Sequence, residues 1–404
     1  MKGWNNTRLK NLLNEPLLYG LNVSSEYEDR DMPRYIRITD FDDFNNLNEQ
    51  TFKSLPEEIA QSAQLKDGDL LFARSGASVG KTFLYRPLPN GACYAGYLIR
   101  ARFDRQRVMP EYVSYYTKSQ GYENWKNATY IQATIQNISA ERYYQLPISI
   151  PPLEEQGRIV TYLNDKTGKI DARISLLTKK RDAYQRLKKA LISRVVTKGL
   201  NPNAKFKPSG VDWIGEIPEG WKVKRIKDVV ELVSEKTNDN SMPYIGLENI
   251  ESWTARYIPS DSTTEGTNNI FHSGDVLFGK LRPYLAKGYL PQNDGICSTE
   301  FFVLRPYRNV HNKYVLYFIL SHQVIDYLKN QVAGVKMPRT NWDSFSNLTI
   351  PLPNSAEQQS IATYLDEKCS EIDANIANLE KQIEKYKELK RALISEVVTG
   401  KRRV

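Results

Sequence analysis

The chain repeats itself at half its own length. TYLNDKTGKIDARI (residues 161–174) returns as TYLDEKCSEIDANI (363–376), an offset of 202 in a chain of 404 residues. The same offset carries Gln156 onto Gln358, Asp171 onto Asp373, Tyr184 onto Tyr386, and Ala190-Leu191-Ile192-Ser193 onto Ala392-Leu393-Ile394-Ser395. A duplicated chain of this kind folds as two similar halves about a pseudo-two-fold axis. Its partners tend to share that symmetry, as duplex DNA does.

Two segments read as long helices. In the second, Ile372, Ile376, Leu379, Ile383, Tyr386, Leu393 and Val397 recur with heptad spacing. Ser355 and Gln358 form a capping-box pattern behind Pro351 and Pro353, and Gly400 can end the helix. The first segment carries Ile170, Ile174, Leu177, Tyr184, Leu191 and Val195, ends at Gly199 before Pro202, and departs at Arg181, where the second has Ile383. One apolar stripe per helix predicts an antiparallel pair packed seam to seam. The alternative is that each helix packs on its own globular domain. Lys166 to Val196 is 31 residues, about 46 Å of helix, or roughly 13 base pairs. Two half-sites about one helical turn apart, or slightly more, are therefore expected.

The rest, roughly 1–150 and 200–350, is mixed α and β. Strands are predicted at Asp69–Phe72, Tyr97–Ile99, Asp275–Phe278 and Phe301–Leu304, and short helices at Tyr112–Lys118 and Tyr314–Leu320. These segments are looser copies. Gly3-Trp4 and Arg8 match Gly220-Trp221 and Arg225 at offset 217, Tyr35-Ile36 matches Tyr244-Ile245 at 209, and Gly68-Asp69 matches Gly274-Asp275 at 206. The drifting offset places insertions in loops, as suits two different targets held in one frame. The expected architecture is α+β: a first recognition domain (1–152), a long helix (153–199), a linker and second recognition domain (200–352), and a second long helix (353–404).

A net charge of +9 favours a polyanionic partner. Three cysteines without CxxC spacing exclude a zinc ribbon and a disulfide framework. Cys93 and Cys297 read as buried strand thiols, which fits a reducing cytoplasm. The first residues, MKGWNNTRLK, lack a charged-then-apolar leader, and no apolar run approaches a membrane span.

The turn Ser75-Gly-Ala-Ser-Val-Gly-Lys-Thr82 imitates a phosphate loop, but Ser75 stands where the first glycine is required. Offset 206 carries Arg74 onto Lys280, Gly76 onto Arg282 and Lys81 onto Lys287. Each half thus has a cationic turn after the same strand. Such turns contact phosphate, and Arg can read guanine bidentately; a solvated basic loop is the plain alternative. A second loop pair precedes the long helices. In the first half it holds Gln132, Thr134, Gln136 and Asn137; in the second, Lys336, Arg339 and Asn341. Amides suit adenine, and Lys and Arg suit guanine and phosphate. The basic stretch Lys179-Lys180-Arg181, with Arg186, Lys188 and Lys189, reads as a solvated helix face or a contact to DNA backbone or partner.

Catalytic constellations do not emerge. His272, His311 and His322 lack metal-ligand spacing. There is no GxSxG elbow and no glycine-rich cofactor fingerprint, and Asn201-Pro202-Asn203 lacks the rest of an adenine-methylation loop. The chain reads as a non-catalytic binder.

With these residues in view, the chain resembles the specificity (S) subunits of type I restriction-modification enzymes over essentially its whole length. The most specific stretch is ALISRVVTKGLNPNAKFKPSGVDWIGEIPEGW (190–221), joined by LPISIPPLEEQ (146–156), the Gly-Asp-x-Leu-Phe strands, the turn Arg74–Lys81, and Leu281-Arg282-Pro283-Tyr284. The resemblance implies that each half supplies one target-recognition domain and one spacer helix, and that each domain reads one part of a split, asymmetric DNA target. It implies two docked modification subunits that bind S-adenosylmethionine and methylate adenine N6. It also implies restriction subunits using ATP and Mg, in a cytoplasmic phage-defence system, with no cofactor in this chain. The first half lacks a counterpart of the Ser209–Glu219 leader, which resembles a linker. A solitary DNA-modifying enzyme and a structural coiled-coil protein are the competing readings.

Overall fold

The computed structural model describes residues 4–131, 137–260, 264–332 and 337–404. The chain forms two compact units, 1–177 with 381–404, and 178–380. Both long helices pass from one unit into the other, because they run unbroken over Leu153–Lys198 and Ser355–Val398.

The first unit holds an antiparallel sheet in the order Leu18–Tyr19, Leu98–Ala101, Leu70–Ala73, Thr82–Leu84. The second unit repeats that order with Val230–Val233, Phe301–Pro306, Val276–Gly279 and Gly288–Tyr289. Each half also has a parallel pair, Arg34–Ile36 with Ala92–Tyr94 and Tyr244–Ile245 with Gly295–Cys297. In each, the opening strand pairs antiparallel with the strand that leads into the long helix: Asn5–Arg8 with Pro147–Ile150, and Lys222–Arg225 with Thr349–Leu352. Cys93 and Cys297 are fully buried in the parallel pairs, and burial pushes each thiol up to about 12.

The recurring Gly-Asp motif has a structural purpose. Gly68 and Gly274 take φ of +84° and +92°, a left-handed turn that a side chain would strain. The next residue is a buried Asp that closes the turn by accepting from a backbone N–H, Asp69 from Lys66 and Asp275 from His272. It then grips an Arg in or just past the neighbouring strand through both oxygens, Asp69 with Arg102 at 2.7–2.8 Å and Asp275 with Arg305 at 2.9 Å. A fork-to-fork pair satisfies a carboxylate that the core would otherwise strand.

Both packings weighed for the long helices occur. The start of each lies on its own half: Ile159, Val160 and Leu163 enter the first core, and Ile361, Leu365 and Cys369 the second. The end of each closes the other half's core, Leu393, Ile394 and Val397 in the first, Ile192, Val195 and Val196 in the second. Tyr112 donates to the carbonyls of Ser149 and Val398, and Tyr314 to those of Pro351 and Val196. Where the helices meet within each unit they run antiparallel. Of the predicted seam, Leu177, Ile372, Leu379, Ile383 and Leu393 are buried, while Ile170, Ile174, Tyr184, Leu191, Ile376 and Tyr386 are partly so.

The heptad step skipped between Tyr386 and Leu393 is Lys390, and its twin is Lys188. Lys390 donates to both oxygens of Asp171 at 2.7 Å, and Lys188 to both of Asp373 at 2.8 and 2.6 Å. The repeat offset maps one pair onto the other with donor and acceptor helices exchanged. A parallel, in-register pairing would instead set Lys against Lys and Asp against Asp. A charged residue on a seam thus specifies orientation.

Two expectations need correction. The second long helix is capped by Asn354, whose side chain accepts from Glu357 N–H at 2.9 Å, rather than by Ser355. Gln358 is occupied elsewhere, accepting from His311 N–H at 2.8 Å, as Gln156 does from Met109. The Ser209–Glu219 leader is also more than a linker. Glu216–Pro218 pairs with Phe206–Pro208, and Ile214 and Ile217 are buried in the second core because their side chains are too apolar to leave in water. Gly199, with φ +71°, ends the first helix as expected and lets Trp221 pack against it, its indole donating to Glu357.

Candidate nucleic-acid interface

In each half, the cationic turn and the amide or basic loop foreseen separately are joined edge to edge. In the first half Ser75 bridges Asn137, Ile138 N–H donates to Arg74 C=O at 2.9 Å, and Arg74 N–H donates to Tyr97 C=O at 3.0 Å. In the second Leu281 bridges Arg339, Thr340 N–H donates to Lys280 C=O at 3.0 Å, and Lys280 N–H donates to Glu300 C=O at 2.7 Å. The backbone frame is the same. The side chains on it are not: Arg74, Ser75, Tyr97 and Asn137 in one half stand where Lys280, Leu281, Glu300 and Arg339 stand in the other.

In the first half the Arg74 guanidinium lies 4.9 Å from the Tyr19 ring centroid. Tyr19 is exposed, and Tyr97 is 58% exposed. Two open tyrosines beside an arginine can stack on bases or sugars. The Arg74 Nε and Asn137 Oδ1 atoms are buried without a hydrogen-bond partner among the described residues, so part of each polar group is left for a ligand to engage after a small shift. Lys81 lies apart from this edge, 3.4 Å from Asp43.

In the second half, Arg282 sits in the left-handed region at φ +50° and is exposed together with Tyr284. Its N–H donates to Pro338 C=O at 2.7 Å, which ties the two loops. Arg339 pairs with Glu300. Lys280 lies 5.2 Å from the Phe302 ring centroid. Burial pulls its ammonium below the ordinary lysine range; Glu300 pulls the other way and Arg339 adds to the depression. Lys287 is spent on the Leu247 carbonyl at 2.7 Å, and Asn341 caps the helix Trp342–Ser346 by accepting from Ser344 N–H at 2.8 Å. Gln132, Thr134, Gln136 and Lys336 lie outside the described residues.

Sequence reasoning missed Tyr19, Tyr97 and Glu300. Nothing in their local pattern marks them; they reach the edge because neighbouring strands bring them there.

Among the described residues, no group of three His, Cys, Asp or Glu side chains could hold a metal ion. Among those same residues, no helix is long and apolar enough to cross a membrane.

The family model described as "Type I restriction modification DNA specificity domain" matches residues 1–181 and again 218–385, one match per half. The chain is 24% identical over 360 residues to the type I restriction enzyme MjaVIII specificity subunit of Methanocaldococcus jannaschii, covering 84% of this chain and 80% of that one. It is 22% identical over 274 residues to the EcoDI specificity subunit of Escherichia coli, covering 62% and 60%. Among solved structures, one described as the "structural basis underlying complex assembly and conformational transition of the type I R-M system" aligns with a TM-score of 0.70 over 98% of both chains at 18% identity, which shows a shared fold. Two matched domains, two long helices and relatives of the same kind place this chain in the family of type I restriction-modification DNA specificity subunits.

Proposed function

We propose that each half reads one part of a split, asymmetric DNA sequence through its joined loop edge. One observation carries this: a single backbone frame is built twice and furnished with different side chains. A frame kept constant places both edges alike against a duplex, and different side chains make the two readings differ. The amide-and-tyrosine edge of the first half suits an adenine-containing half-site. The Arg282 and Arg339 edge of the second suits guanine and phosphate.

The long helices set the spacing between the half-sites and dock two modification subunits. Leu187 and Leu389, equivalent by the repeat, lie off the seam and are 52% and 53% exposed, which supports two copies of one partner. S-adenosylmethionine, ATP and Mg act on those partners and on restriction subunits, and the assembly works in the cytoplasm. The test is an adenine-methylation map of the native genome with and without this gene. Loss of one split, asymmetric motif on deletion is expected. An unchanged map from cells in which the chain still copurifies with a modification subunit overturns the reading.

A further inference from the structure

The two halves also differ beside the last turns of the second long helix. In the second half Leu320 and Leu328 are buried in the core. The repeat offset of 202 places Lys118 and Lys126 at those positions in the first half. There, instead of packed leucines, is a cavity of about 540 Å³ between the turn Val79–Thr82, the helix Gln120–Ile131 and the last turns of the second long helix. Among the described residues, Lys81, Lys118, Lys126, Lys390 and Arg391 line it against two carboxylates, Asp43 and Glu123.

Three of these cations are engaged. Lys126 pairs with Glu123 at 2.6 Å, Lys390 with Asp171 at 2.7 Å, and Lys81 with Asp43 at 3.4 Å. Gly80, at φ +79°, leaves room for the Lys126 stem to cross directly over it. Arg391 is exposed at the mouth. Lys118 is partly buried, with the Tyr115 ring 6.0 Å from its ammonium and no carboxylate at ion-pair distance among the described residues. An apolar core position given over to a lysine, in a cavity with excess positive charge, lacks a counter-anion.

We infer that this cavity binds a phosphate group, in the first half only. Phosphate matches several converging ammonium donors around one compact, multiply charged acceptor. Its source is either a diffusible phosphate or a backbone phosphodiester of bound DNA; only the second rests on the DNA reading above. Burial, with the charge of Lys390 next, draws Lys118 down to about 8, opposed by Asp171, Asp42 and Asp43. A bound anion favours its charged form, so affinity falls as pH rises through that value.

The test uses the full chain and Lys118→Gln, which removes the charge but keeps the cavity open. Lys118→Leu, the residue type of the other half, checks folding by thermal melting. Inorganic phosphate is titrated calorimetrically at pH 7 and pH 9, and a non-specific duplex over a salt series. For a diffusible ligand, phosphate binds the wild type at pH 7, and binding weakens at least about ten-fold in Lys118→Gln and several-fold at pH 9. For a phosphodiester, phosphate alone does not bind, but Lys118→Gln reduces the salt slope of duplex binding by about 0.9, one phosphate. Phosphate binding that is the same in Lys118→Gln overturns the inference. So does absent phosphate binding with an unchanged slope. A wild type that ignores duplex but binds phosphate through Lys118 sinks the DNA reading and leaves this site standing.

Discussion

Replacing Asp171 by Asn strands Lys390 on the helix seam, and the structure sets the size of the effect. The lysine side chain is 8% exposed and the aspartate 42%. A carboxylate and an ammonium about 4 Å apart gain roughly 4 kcal/mol at an effective dielectric of 20, which offsets much of the cost of drying the ammonium. Breaking a fully buried pair costs about 3–5 kcal/mol. Here water reaches the aspartate, and exposed pairs contribute at most about 1 kcal/mol, so about 2 kcal/mol is expected. Replacing Lys390 by Met as well removes the stranded charge and returns stability to within about 1 kcal/mol of wild type. The twin substitution, Asp373→Asn, exposes Lys188 in the same way. The assay is hydrogen exchange in a urea series, read by mass spectrometry, with a double-mutant cycle for each pair. Asp171→Asn should loosen the first unit (1–177 with 381–404), and Asp373→Asn the second (178–380). A single-mutant loss under about 0.5 kcal/mol, or a Lys390→Met/Asp171→Asn double mutant as unstable as the two singles summed, refutes a seam charge held by its partner.

Arg282→Ala and Arg339→Ala should each weaken binding at the second half-site by about 1–3 kcal/mol where the contact is to a base, and leave the first half-site unchanged; equal losses at both, in competition assays with half-site mutants, contradict the division of labour. Tyr97→Ala should relax selectivity at the first half-site alone, by about 1–3 kcal/mol if the ring stacks on a base, as seen in a selection from randomised duplexes. Seven residues inserted into both long helices add about 10 Å of helix and should lengthen the unread spacer of the methylated motif by about 3 base pairs; an unchanged spacer ends the ruler idea. Cys93 and Cys297, raised to about 12, and Cys369, raised to about 11, stay protonated until far above neutral pH, so iodoacetamide at pH 8 should label none of them before urea unfolds the chain.

The repeat, the heptad stripes and the terminating glycines were legible because each is a local or periodic demand. A helix with one apolar stripe must bury that stripe, and a left-handed turn before Asp69 or Asp275 needs glycine. The strands Leu70–Ala73 and Val276–Gly279 were legible too, since buried strands read as continuous apolar runs. Asn354 and Ser355 both fit a capping pattern, one residue apart. Only the geometry of Glu357 N–H decides between them.

What tertiary structure alone decided is which side chains share a place. Lys188 and Lys390 look like solvent-facing charges until the facing helix puts Asp373 and Asp171 against them. Lys118 is one more basic residue until the fold sets it on a cavity whose counterpart in the second half is core, with Leu320 buried in it. Tyr97 and Glu300 reach the joined loop edge only because the turn that each occupies, just before a strand, lies beside the turn carrying Arg74 or Lys280. Periodicity records what a segment must do with water. It carries no record of which distant segment will meet it, because that follows from closing the whole chain around its cores.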